Sequence, residues 1–176
     1  GYEKDIITTI YGPAGSGKTN FCILASVSQA KKGNKVIYID TEGGFSVERV
    51  KQIAGENPDE ILKNIILLKP VSFEEQKKTF PKLLDEIKKT EIGLIIVDGM
   101  TMLYRLELGD AIKEKDDEKI RNVNRELAKQ LRILAEIART KNIPIIMTNQ
   151  VYYDFRKSDE TKEENRANMV GGDLLK

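Results

Sequence analysis

The sequence predicts an α/β fold, a mostly parallel central sheet flanked by helices. Two patterns predict it. Five short runs at residues 6–11, 35–40, 65–68, 92–97 and 143–149 are mostly apolar and β-branched, as strands are when helices cover both faces of a parallel sheet. Helical patterns alternate with these runs along the chain, the order that βαβ units require.

The elements follow in order. Residues 19–31 are helical and stop at Gly33, and residues 46–54 form a short helix closed by Gly55. Ser72 and Glu75 have the spacing of a capping box at the start of the next helical segment,. Pro81 is expected to split that segment into two helices, because proline in a helix interior costs roughly 3 kcal/mol. The longest helix spans residues 117–140, where Ile120, Val123, Leu127, Leu131, Leu134 and Ala138 repeat at three and four and form a core-facing stripe,. Residues 104–116 and 151–169 lack a sustained apolar period and are expected to be loops. The second is longer than the roughly 12–15 residues beyond which a loop is usually functional or disordered. A single domain over residues 1–176 is expected,.

Composition narrows the chemistry. The 176 residues hold 29 basic and 28 acidic side chains, so bulk charge gives no argument for a nucleic-acid partner, and any such surface has to be local,. With one cysteine and no histidine, a disulfide framework, a Cys/His zinc site and an imidazole base are all excluded,. Cys22 is expected to be a packed core thiol,. No apolar run approaches the ~18 residues of a membrane span, so a cytoplasmic protein with no membrane partner is expected. The chain opens at Gly1 and stops at Lys176 without a helix-ending signal, which suggests the central part of a longer protein.

The strongest motif is Gly12-Pro13-Ala14-Gly15-Ser16-Gly17-Lys18-Thr19, which fits G-x-x-x-x-G-K-[ST] in full,. Its glycines allow a tight turn whose amides cradle phosphate oxygens, and the following helix turns its positive dipole end to the same anion. Lys18 is placed to reach the β- and γ-phosphates, and the Thr19 hydroxyl to ligate Mg²⁺,. ATP with Mg²⁺ is therefore the expected cofactor. Asp98 ends the apolar run Leu94-Ile95-Ile96-Val97. Strand carboxyl ends are where open α/β sheets bind ligands, so Asp98 is expected to hold the metal with Thr19, usually through water.

Hydrolysis also needs a group to position water. Position 99 is Gly99, so no glutamate directly follows the strand-end aspartate. Glu42, two residues after Asp40, is the best alternative provided that its strand lies near the phosphate-loop strand. The plainer reading of Glu42 is a surface carboxylate in a glycine-containing turn.

At this point the chain resembles the RecA-like recombinases, and among them the archaeal RadB branch. The likeness covers nearly the whole chain. It rests on Gly12–Asn20, on Tyr38-Ile39-Asp40-Thr41-Glu42-Gly43-Gly44-Phe45-Ser46-Val47-Glu48-Arg49, on residues 94–99, on Met147-Thr148-Asn149-Gln150-Val151 and on Val170-Gly171-Gly172-Asp173. The resemblance implies a RecA-like phosphate-loop ATPase core. It makes Glu42 the water-activating glutamate and Gln150 a γ-phosphate sensor. It adds Asn20 to the nucleotide-binding loop and places Arg49 against the adenine.

It also turns the two expected loops into DNA-binding segments, with Arg105 in the first and Tyr152, Tyr153, Phe155, Arg156 and Lys157 in the second. Aromatic stacking beside basic residues suits single-stranded DNA. Charge argues for weak, nucleotide-dependent binding, since residues 151–169 hold four basic and five acidic side chains and residues 105–119 hold four and six,. The implied role is an accessory or mediator of the main recombinase in homologous recombination and DNA repair, with the main recombinase or further copies of itself as partners. The ATPase would be weak, Mg²⁺-dependent and DNA-dependent, because no arginine finger is evident in cis. A full strand-exchange recombinase is the alternative. A clock or signalling ATPase fits less well, since Glu42-Gly43 lacks the paired glutamates of that type.

Overall fold

The computed structural model describes residues 4–152 and the short strand at 168–169. Strand β1 (Ile7–Gly12) leads into helix α1 (Lys18–Ala30), β2 (Lys35–Asp40), α2 (Val47–Ala54), α3 (Pro58–Lys63) and β3 (Ile65–Leu68). Then come α4 (Phe73–Lys89), β4 (Ile92–Asp98), α5 (Met102–Lys113), α6 (Asp117–Lys141), β5 (Ile145–Tyr152) and β6 (Asn168–Met169). The first five strands form a parallel sheet in the order β1-β5-β4-β2-β3, and β6 pairs with the end of β5 in the antiparallel sense. This is the α/β architecture that the sequence predicts.

Alternation along the strands builds two cores. Val36 and Tyr38 of β2, Leu94 and Ile96 of β4 and Ile146 of β5 face Cys22, Ile23 and Val27 of α1 and Val50 and Ala54 of α2. Their neighbours Ile37, Ile39, Ile95, Val97, Ile145 and Met147 face the layer of α4, α5 and α6, where Phe80, Leu83, Val123, Leu127 and Leu134 are buried. Four of the six stripe residues expected on the longest helix are buried (Val123, Leu127, Leu134 and Ala138), and Leu131 packs against them partly covered. Because neighbouring strand residues point to opposite faces, each strand contributes to both layers, and its carboxyl end is left between them for polar groups.

Local chemistry sets the helix ends. Ser46 Oγ accepts from the Arg49 amide at 3.2 Å, and Gly55 closes α2 with φ of 68°. Ser72 Oγ accepts from the Glu75 amide at 3.1 Å, while the Glu75 carboxylate accepts from the Val71 amide at 3.0 Å. The reciprocal bond of the capping box thus reaches one residue further back than its usual partner. Asp116 accepts from the Lys119 amide at 2.9 Å and starts α6.

Three expectations need correction. Pro81 does not split its segment, since α4 runs through it unbroken. Its ring lies on the exposed side, where water can satisfy the carbonyl that loses its amide donor. Residues 104–116 are mostly not a loop but the body of α5, with Leu103, Tyr104 and Ala111 buried. Leu106 and Ile112 stay exposed on that helix, so its apolar residues are scattered around the axis and no stripe marks it. Of the expected loop 151–169, both ends are strand instead, because Val151 pairs with Met169 and Tyr152 with Asn168, and residues 153–167 lie outside the described residues. Helix α3 is an element the sequence reading missed. It starts from Asn57 in the left-handed region and has Pro58 in its first turn.

Candidate functional site

The phosphate loop joins β1 to α1 at the carboxyl edge of the sheet. Gly15 and Gly17 take φ of 75° and 85°, values that only glycine adopts without strain. Gly17 caps α1 with no side-chain acceptor, so the first amides of the helix keep their donors for an anion. A Cβ on Gly12 would fall 2.7 Å from Ser16 Oγ, which shows how closely the loop folds on itself. Lys18 is buried, and its ammonium donates to Gly12 O at 3.1 Å, Pro13 O at 2.9 Å and Ser16 Oγ at 3.4 Å. The charge is thereby held across the mouth of the loop. Pro13, Ala14 and Asn20 are exposed around it, and Thr19 is half-buried.

Asp98 ends β4 and is 1% exposed. Its Oδ1 accepts from the Thr148 hydroxyl at 2.7 Å, and its Oδ2 from the Tyr38 hydroxyl at 2.8 Å. Burial first, then the neighbouring Asp98 carboxylate, pushes the Tyr38 phenol well above its ordinary range, so it remains a donor,.

Glu42 reaches the site by a route that the sequence did not suggest. Its strand β2 is not beside β1, because β4 and β5 lie between them. Instead the segment after β2 folds back over the end of β4. Asp40 organises the turn by accepting from the amides of Gly43 at 2.8 Å, Gly44 at 3.1 Å and Phe45 at 3.1 Å. The Thr41 hydroxyl bonds the carbonyls of Asp98 at 3.0 Å and Gly99 at 2.6 Å. Glu42 then meets Gln150 of β5, whose amide nitrogen lies 3.1 and 3.2 Å from the two carboxylate oxygens. In the sheet register Gln150 sits opposite Gly12, the first residue of the phosphate loop. The returning loop also touches the expected metal ligand, since a Cβ on Gly44 would lie 3.1 Å from Thr19 Cγ2 and 3.3 Å from its Oγ1.

The electrostatics favour a reactive carboxylate. Partial burial raises the Glu42 pKa above its ordinary value and Asp98 adds to the rise, while the Gln150 hydrogen bond and Lys18 oppose it. A raised carboxylate is a stronger base toward water.

Gly99 has φ of 90°, and a Cβ there would come within 2.5 Å of Thr41 Oγ1 and 2.6 Å of Glu42 Cγ. The space a side chain at position 99 would need is already filled by the Glu42 segment. Two further bonds fix this edge: the Thr101 hydroxyl donates to Asn149 Oδ1, and Gln76 Nε2 donates to Met100 O at 3.2 Å.

Lys18, Thr19, Glu42, Asp98 and Gln150 thus gather at one edge of the sheet. Arg49 does not join them here: it is exposed on α2, and its guanidinium bonds Gln52 of the same helix at 3.0 Å. Arg105 lies half-buried on α5. The backbone of Tyr152 ends β5. The Tyr152 side chain, Tyr153, Phe155, Arg156 and Lys157 lie outside the described residues. Sequence reasoning assigned no role to Tyr38, Asp40, Thr41 or Thr148. A strand-end Asp followed by Thr-Glu-Gly-Gly is the signature of an Asx turn and marks Asp40. Nothing local marks Tyr38 or Thr148, whose partner is remote in sequence.

The donor set suits a magnesium nucleotide: uncapped amides, one ammonium, one threonine hydroxyl and one buried carboxylate. The Rad51 family model matches residues 1–176. The chain is 50% identical over 149 residues to a DNA repair and recombination protein RadB of Methanococcus maripaludis strain C7, covering 85% of this chain and 66% of that protein. It is 42% identical over 177 residues to the protein of that name from Methanobrevibacter smithii, covering 99% and 70%. With the one from Methanocaldococcus jannaschii it shares 48% over 149 residues, covering 85% and 67%. The chain therefore spans about two thirds of the length of these relatives. It belongs to the Rad51 family, within the RecA-like group that its motifs resemble.

Proposed function

We propose that this protein binds ATP with Mg²⁺, hydrolyses it slowly, and acts on DNA in homologous recombination and repair as an accessory factor of the main recombinase. The observation that carries the ATPase reading is the contact of Glu42 with Gln150 beside the phosphate loop, since it joins a candidate water-positioning carboxylate to the strand next to β1. The amides of Gly15, Ser16, Gly17 and Lys18 would hold the phosphates, with the Lys18 ammonium exchanging loop carbonyls for phosphate oxygens. Thr19 and Asp98 would hold the metal, which when bound neutralises charge developing on the phosphates. Glu42 would orient the attacking water and accept its proton, and Gln150 would exchange the Glu42 carboxylate for the γ-phosphate.

The accessory role is drawn from the recombination and repair names of the relatives and from the near-balanced charge of this chain. Among the described residues no helix is long and apolar enough to cross a membrane, which suits work on DNA in the cytoplasm. Calorimetry with Mg·ATP tests the core of the reading. The natural chain should give a saturable heat that Lys18→Ala abolishes while its thermal melting is retained. Equal heats from the two proteins would end the assignment.

A further inference from the structure

The buried carboxylate of Asp98 is held from both sides, and neither of the two holders has a role in the function proposed above. β4 lies between β2 and β5 in the sheet. From β2, the Tyr38 hydroxyl donates to Oδ2 at 2.8 Å, and from β5, the Thr148 hydroxyl donates to Oδ1 at 2.7 Å. All three side chains are at most 1% exposed, so water does not compete for these bonds.

The proton positions follow from connectivity. Thr148 Oγ1 accepts from the Gly99 amide at 2.7 Å. An amide can only donate, so the hydroxyl proton of Thr148 is left for Asp98. Tyr38 has one proton and spends it on the other oxygen. Each carboxylate oxygen therefore has one direction fixed by a donor within the protein and keeps a further lone pair with which to accept,. A carboxylate that holds a cation through water depends on such orientation, because a rotation about its last bond moves both oxygens.

Tyr38 has a second contact. Its ring packs edge-on against Phe45, with centroids 4.9 Å apart, and the Phe45 amide closes the Asp40 turn that carries Glu42. One side chain thus touches both the metal carboxylate and the base of the glutamate loop.

We propose that Tyr38 and Thr148 are positioning residues that orient the Asp98 carboxylate toward the magnesium of Mg·ATP, so that the protein's demand for metal is set by two buried hydroxyls on the strands flanking Asp98. This rests on the magnesium nucleotide reading above. Tyr38→Phe and Thr148→Val each remove a hydroxyl while keeping the buried shape, and Thr148→Ser keeps the donor.

Mg²⁺ is titrated into the protein with a fluorescent ATP analogue, and the metal concentration at half-binding is measured beside the thermal midpoint. Tyr38→Phe and Thr148→Val should each raise that metal concentration roughly tenfold, the scale seen when an outer partner of a metal ligand is lost. Thr148→Ser should return it close to the natural value, and binding at saturating Mg²⁺ should be nearly unchanged. Unshifted metal dependence in both variants, with or without a lower thermal midpoint, overturns the proposal alone. If Thr148→Ser shifts as far as Thr148→Val, the hydroxyl is not what matters and the proposal falls. A natural protein whose nucleotide binding does not respond to Mg²⁺ overturns the metal reading and this inference together.

Discussion

Gln150 Nε2 lies between the two carboxylate oxygens of Glu42, at 3.1 and 3.2 Å, although the residues are 108 positions apart in sequence. Gln150 is also the register partner of Gly12. The contact therefore ties the loop after β2 to β5 across the one strand between them, β4, and β5 carries it on to the start of the phosphate loop.

If Glu42 is the water-positioning base, Glu42→Gln should lower single-turnover hydrolysis of Mg·ATP by about a hundredfold or more, the range for loss of a general base. Affinity for Mg·ATP should stay within about threefold, because an effect confined to the chemical step leaves ground-state binding alone. Rapid-quench measurement of hydrolysis beside calorimetry of binding checks both. Equal hydrolysis rates in the two proteins would return Glu42 to the plain surface carboxylate.

The same residue makes a pH prediction for the nucleotide-free protein. Burial and Asp98 raise the folded-state pKa of Glu42 above its ordinary 4.5. For a raised carboxyl group the stabilising contribution is complete below the unfolded pKa and is lost as pH rises through the folded one. Near neutral pH the ionised group therefore weighs against the fold, and Glu42→Gln should raise the thermal midpoint there. The gain should shrink as pH falls through the raised pKa and vanish below 4.5, where both proteins are neutral at this position. Melting curves between about pH 4 and pH 8 follow the difference. A gain that grows toward acid would show the opposite sign of shift.

Gly99 gives a steric test. With φ of 90° and a would-be Cβ 2.5 Å from Thr41 Oγ1, Gly99→Ala has to shift the backbone or the Glu42 segment. The expected cost is about 1–3 kcal/mol of stability, with a fall in hydrolysis larger than the fall in Mg·ATP binding as Glu42 is pushed from Gln150. Chemical denaturation, rapid-quench hydrolysis and binding calorimetry measure these separately. Unchanged stability would mean that this edge is softer than its contacts indicate.

These residues also show what the sequence makes legible. The phosphate-loop motif, the strand-end Asp98 and the strand runs are contiguous signals, so the fold class and the candidate phosphate site can be read from local chemistry. Glu42 was singled out on the premise of a neighbouring strand, yet β4 and β5 separate β2 from β1 and the Asp40 turn supplies the reach. Strand order is a long-range property with no local code. Helix α5 escaped because Leu106 and Ile112 face outward and break its apolar period, and α4 was cut at Pro81 because sequence cannot tell an exposed proline from a buried one.

Pro81 sits inside α4 on its exposed side and lacks the amide that would bond the Lys77 carbonyl,. Pro81→Ala should restore the bond and stabilise the protein by about 1–3 kcal/mol, below or at the full proline penalty because on this exposed side water can reach that carbonyl,. Thermal melting reads the change. A destabilised Pro81→Ala variant would show that the ring is part of the packing against the helix layer.

Residues 151–169 carry four basic against five acidic side chains, and the whole chain has a formal net charge of +1. Affinity for single strands falls with salt in proportion to the phosphates neutralised, with a logarithmic slope near −0.7 for each. A segment of this balance offers few such contacts, so the slope should be shallow, about −2 or less in magnitude. Stacking by aromatic residues such as Tyr153 and Phe155 loses little to salt, and each stacked base contributes about 1–3 kcal/mol. Fluorescence anisotropy with a labelled single strand and Mg·ATP should therefore show binding weaker than about 1 μM near 150 mM salt, with a gentle dependence on ionic strength. Substituting Tyr153 or Phe155 by alanine should weaken it more than substituting Lys157. Nanomolar affinity with a steep salt slope would instead require a basic surface beyond these residues, and the DNA assignment would move away from residues 151–169.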